Sequence, residues 1–141
     1  MKKFSADFET ATWLEDSTFV WAWACCEIGN DSNLHIGNKI DTFIDFCIKQ
    51  KNSTFYFHNA KFDCEFIIYW LYKNGFTHIE DKKEIADKTF TTLIGSMGQF
   101  YSMTIYFKKE KKGYIKATFI DSLKIIPMPV KKIPKAFRFR Y

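Results

Sequence analysis

Phe55-Tyr56-Phe57-His58-Asn59-Ala60-Lys61-Phe62-Asp63 changes character half-way along. Its first four residues are aromatic and apolar, which predicts a short buried strand. Asn59 is a helix-capping residue type, and an apolar-rich segment runs on to about residue 74, where Asn74-Gly75 supplies a stop signal. The stretch is a strand feeding a helix. Asp63 falls in the first turn of that helix, where a carboxylate can face back towards the edge of a sheet. Apolar residues nearly encircle the helix, which predicts that it is well buried.

Upstream of this unit, residues 3–9 form a strand carrying Asp7-Phe8-Glu9, and residues 18–28 are β-rich and apolar on both faces, as in a central strand. Asp16-Ser17 suits the turn between them. After a turn at 29–33 and a short strand at 34–36, Asp41 caps an amphipathic helix to about Gln50. Downstream, the charged residues 77–88 read as a loop. Residues 89–95, 99–107 and 114–120 alternate as strands, with turns at Met97-Gly98 and Lys111-Lys112-Gly113. Residues 130–137 are helical as far as Pro134 allows. This order of elements predicts an α/β (α+β) fold with a mixed sheet flanked by helices.

The 141 residues are 47% hydrophobic and 19% aromatic, with 6 Gly and 3 Pro, which excludes disordered, collagen-like and low-complexity chains. They predict one domain over 1–141, with no second domain. Charge is uneven: residues 107–141 carry a net +9 and residues 1–106 a net −4. Such a division suits a polyanion track beside a carboxylate site, or simply a lysine-rich solvated surface. Cys25, Cys26, Cys47 and Cys64 lie in apolar segments without a Cys-x-x-Cys pair, so they read as buried thiols of a reducing compartment. With no secretory signal and no apolar run near ~18 residues, a cytoplasmic protein that does not enter a membrane is expected.

Two groups of residues carry chemistry. On a strand, alternate side chains share a face, so Asp7 and Glu9 point together while Phe8 packs the other way. Two adjacent carboxylates repel, and a divalent cation relieves that repulsion. The same pair reads otherwise as two exposed acids on an edge strand. In the second group, His58 reads equally as a satisfied core histidine or a substrate contact, and Asp63 as a ligand or a favourable charge at a helix start. Phe62 and Phe66 lie four apart and suit core packing as well as contact with a ligand.

Asp7-Phe8-Glu9-Thr10, then Tyr56-Phe57-His58-Asn59-Ala60-Lys61-Phe62-Asp63, then Asp121-Ser122-Leu123-Lys124 together resemble the N-terminal 3′–5′ exonuclease domain of protein-primed family B DNA polymerases of phages and linear plasmids. The resemblance extends over nearly the whole chain and includes Val20-Trp21-Ala22-Trp23, Ser96-Met97-Gly98-Gln99 and Pro127-Met128-Pro129-Val130-Lys131-Lys132-Ile133. It implies an RNase H-like exonuclease fold and two divalent metals, Mg²⁺ or Mn²⁺. By the resemblance, Asp7 bridges both metals, Glu9 binds the nucleophile-side metal, and Asp63 binds the other directly or through water. The resemblance also implies that Thr10, Tyr56, His58, Asn59, Phe62, Phe66, Ser122 and Leu123 hold the 3′ end of single-stranded DNA. Lys124, Lys131 and Lys132 belong to the basic quarter beside it. Ser122 also reads as a simple helix cap.

The family's third motif, Tyr-x-x-x-Asp, has no counterpart: no Asp or Glu follows Asp121. The expectation is an exonuclease fold incomplete at its C-terminus, truncated before that motif, with crippled catalysis and an uncovered apolar face that invites self-association. Single-stranded DNA is the expected partner, with terminal protein or the rest of a polymerase beside it. The rival readings are a non-enzymatic phage-derived decoy or inhibitor on an exonuclease scaffold, and an RNA-directed nuclease of the same fold.

Overall fold

Three strands whose residues alternate between buried and less buried lie side by side. In the computed structural model, which describes residues 2–12, 18–94 and 100–122, β1 (Lys3–Thr12), β4 (Ser53–Phe57) and β8 (Tyr114–Asp121) are neighbours in parallel. The register places Phe4 opposite Phe55, and Phe55 opposite Phe119. The rings stack at centroid distances of 5.3 and 5.4 Å. Among the described residues, β2 (Thr18–Glu27), β3 (Leu34–Gly37), β5 (Thr77–His78), β6 (Thr89–Ile94) and β7 (Phe100–Lys109) complete one eight-stranded mixed sheet, ordered β3-β2-β1-β4-β8-β7-β6-β5.

Among the described residues, two helices, α1 (Ile40–Lys49) and α2 (Ala60–Lys73), bury their apolar sides in one core with the phenylalanine row. Phe43 of α1 meets Phe8, Phe55, Phe57 and Phe119. Cys64, Ile67 and Leu71 of α2 are fully buried in the same core. Alternation sends Ser5, Asp7 and Glu9 to the opposite face, where all three are exposed, and leaves Tyr56, Thr118 and Ile120 there half-buried. The predicted α/β fold with a mixed sheet is the one observed.

Several local expectations need correction. Asp41 does not cap α1. Lys39 holds the N-cap position, and its carbonyl accepts from Phe43 N and Thr42 Oγ1. Asp41 sits in the first turn and accepts a hydrogen bond from Trp70 Nε1, tying α1 to α2. Asn59 does hold the N-cap position of α2, but with left-handed backbone and no capping side-chain bond. Nor is α2 buried all round: Phe62, Tyr69 and Tyr72 are 49%, 70% and 59% exposed. Its apolar residues exceed what one sheet face can cover.

The segment read as a loop at 77–88 contains β5, paired in parallel with β6, and a 3-10 turn at Lys82–Glu84. β2 lies inside the sheet but is not buried on both faces, for Trp21 is half exposed. Cys25, Cys47 and Cys64 are buried as expected, while Cys26 is half-buried. Burial pushes the three buried thiols up, away from the reactive thiolate form. No helix among the described residues is long and apolar enough to cross a membrane. The expected turns at Asp16-Ser17 and Met97-Gly98 and the helix at 130–137 lie outside the described residues.

Candidate functional site

The parallel strands β4 and β8 end together beside the middle of β1, and α2 starts from β4. Ala6 pairs with Phe57, and Phe57 with Asp121. One step further along each strand come Asp7, His58 and Ser122. Crevices at such strand ends are where open α/β sheets bind ligands. Register irregularity between Glu9 and Thr10 marks a bulge in the β1–β2 pairing. Bulges re-aim side chains, and this one lies at the residue that follows the second carboxylate.

Asp63 is only 6% exposed. Burial, then the charges of Asp7, Glu9 and Asp121, push its carboxyl up to about 7. Asp7 is also raised, first by partial withdrawal of its carboxyl from water and then by Glu9, against a lowering hydrogen bond from the Phe8 backbone. The three acids singled out from the sequence are therefore one electrostatic group: Asp63 responds to both residues of the β1 pair. Among the described residues, no three His, Cys, Asp or Glu side chains close tightly enough to hold a metal ion.

The other sequence candidates separate by environment. His58 is half-buried, with Nδ1 hydrogen-bonded to Ser122 Oγ at 3.2 Å. Tyr56 is half-buried on the sheet face that carries Asp7 and Glu9, Thr10 is half-buried beyond the bulge, and Asn59 is exposed. Phe62 and Phe66 stand edge to face at 5.6 Å. Phe62 is exposed, whereas Phe66 packs against the core and lines a groove of about 400 Å³ with Phe19, Val20, Ile40 and Trp70. The core reading of this pair thus holds for Phe66 and not for Phe62. Leu123, Lys124, Lys131 and Lys132 lie outside the described residues.

One residue was passed over. Asp121, the last residue of β8, is 4% exposed, and its Oδ1 accepts the Asn59 backbone N–H at 3.0 Å. An acid closing an apolar, alternating strand was the available signal, since it breaks the pattern at the strand end where a site belongs.

The sequence pattern of the family described as DNA polymerase type B, organellar and viral, matches residues 44–141, and the chain belongs to that family. Among its relatives are the DNA polymerases of Bacillus phage M2, 43% identical, and Bacillus phage phi29, 42% identical, each over 97% of this chain. The chain spans 23% of the length of these relatives. Phi29 DNA polymerase complexed with primer-template DNA superposes with a TM-score of 0.87 at 40% identity, over 99% of this chain and 24% of that one. The same polymerase complexed with single-stranded DNA gives 0.85 at 39% identity, over 97% of this chain and 24% of that one. The resemblance read from the motifs and the fold it implied are both borne out.

Proposed function

We propose that this chain is a 3′–5′ exonuclease-type module of a DNA polymerase, which binds the 3′ end of single-stranded DNA at a divalent-cation site formed by Asp7, Glu9 and Asp63. The observation that carries the reading is placement: Asp7 on β1, the His58–Ser122 pair and buried Asp63 gather where β4 and β8 end beside β1, and the charges of Asp7 and Glu9 add to burial in raising Asp63. Relatives of the same fold are found complexed with single-stranded and primer-template DNA, which supports DNA as the partner.

The donor set fits Mg²⁺ or Mn²⁺. Its oxygens are hard ligands, and their mutual repulsion is what a divalent charge relieves. The described acids do not close into a protein cage, and Mg²⁺ does not need one, because it keeps waters and takes one or two carboxylates plus substrate phosphates. When bound, two such ions would activate water and stabilise the leaving 3′ oxygen.

The chain's own residues bind and orient. Exposed Phe62 offers a ring for an unpaired base, and half-buried Tyr56 a second aromatic surface on the face of Asp7 and Glu9. Asn59 and the hydrogen-bonded His58–Ser122 pair present polar groups to phosphate or sugar.

The test is a 5′-labelled single strand incubated with Mn²⁺, wild type beside Asp7→Ala. Slow shortening from the 3′ end, lost in the variant, supports the proposal. DNA binding without shortening, and indifferent to Mn²⁺, favours the non-catalytic binding protein.

A further inference from the structure

Asn59 has φ 65° and ψ 54°, the left-handed region, which asparagine enters more readily than other residues with a Cβ but less freely than glycine. It makes no side-chain cap, so the usual compensation for asparagine at a helix start is missing. What holds it is its own N–H, donated to Asp121 Oδ1 at 3.0 Å across 62 residues of sequence. The residue that follows β8 repeats the move: Ser122 Oγ meets His58 Nδ1 at 3.2 Å. Two consecutive residues at the end of β8 thus take hold of two consecutive residues in the β4–α2 turn.

Asp121 is nearly fully buried on the sheet face that carries Phe57. An acid there costs more than an apolar side chain of similar size, unless it does something an apolar side chain cannot. The turn that it holds leads directly into the site. Asn59 O accepts from Phe62 N at 3.2 Å, closing the first turn of α2, and Asp63 is the next residue.

We propose that Asp121 is a positioning residue: its carboxylate locks the left-handed turn at Asn59, and this aims the first turn of α2, with Asp63, at Asp7. Its effect on ligand binding rests on the proposed function, whereas the lock itself does not. Asp121 touches no reacting atom in this account.

The test compares Asp121→Ala with Asp121→Asn, whose amide oxygen can still accept the Asn59 N–H. Amide hydrogen exchange is followed at Asn59, with Phe55 and Phe119 as core references, and Mn²⁺ affinity is measured in parallel. In the alanine variant, Asn59 exchange should rise at least ~10-fold with the core amides unchanged, and Mn²⁺ affinity should fall roughly 10–100-fold, as for lost supporting contacts in metal sites. The asparagine variant should restore both most of the way. Unchanged Asn59 exchange in the alanine variant overturns the proposal, as does an asparagine variant no better than alanine. If the alanine variant does not fold, wild type decides: an unprotected Asn59 amide overturns the lock, and a protected one kept by Asp121→Asn upholds it. Failure of Mn²⁺ to bind wild type would sink the proposed function instead, with Asn59 exchange still deciding the lock.

Discussion

Asp63, in the first turn of α2, and Asp7, on β1, repel each other, and that repulsion adds to burial in holding the Asp63 carboxyl at about 7. Two consequences follow for pH. A carboxyl with a raised folded pKa makes the native state bind more protons than the unfolded chain, whose Asp titrates near ~3.9. Stability is therefore fully present below the unfolded value and is lost as pH rises through about 7. Without metal, the protein should be less stable at pH 8 than at pH 5. Asp63→Asn should flatten that decline and stabilise the protein at pH 8 by about 1–2 kcal/mol, well below the full linkage value because solvent screens the partners. Chemical denaturation at the two pH values measures it.

The exposed and the packed phenylalanine of α2 should separate in two assays. Phe62→Ala removes a half-exposed ring and should leave the unfolding midpoint nearly unchanged. It should weaken binding to a short single strand by about 1–3 kcal/mol, the usual worth of a base stacked on an aromatic ring. Phe66→Ala should cost stability as well, because that ring packs against the core. Fluorescence anisotropy with a labelled oligonucleotide, beside thermal melts, reads both.

Gly37 faces the Trp23 indole across the β2–β3 pair, and a Cβ at this glycine would run into the indole ring. Trp23 cannot swing aside freely, since it is 5% exposed and its Nε1 donates to Thr42 Oγ1 at 2.9 Å. Gly37→Ala should destabilise the fold by about 1–3 kcal/mol, the range for overpacking a filled site. A urea midpoint that does not move would contradict this packing.

Much of this architecture is written in local pattern. The aromatic run at 55–58 predicted β4 and alternation at 114–120 predicted β8, and parity alone put Asp7 and Glu9 on one face with Phe8 on the other. What escaped depends on partners distant in sequence. Asp41 has the chemistry of a cap, but Trp70 of α2 claims its side chain. Asn59 has the same chemistry, but its backbone is held by Asp121 from another strand, so the side chain is not needed as a cap. A two-residue strand such as β5 has no periodicity to detect, because only its partner β6 defines it. The apolar girth of α2 was legible, whereas which side the sheet would cover was not.

Mn²⁺ titration of thermal stability at pH 8 decides whether Asp7, Glu9 and Asp63 form one divalent-cation site. Ligand that binds only the folded state stabilises by mass action. Wild type should melt higher as Mn²⁺ rises, by about 3 °C or more near saturation, and Asp7→Asn should show almost none of this gain. A wild-type melting temperature indifferent to Mn²⁺, or an equal rise in Asp7→Asn, would rule out that site.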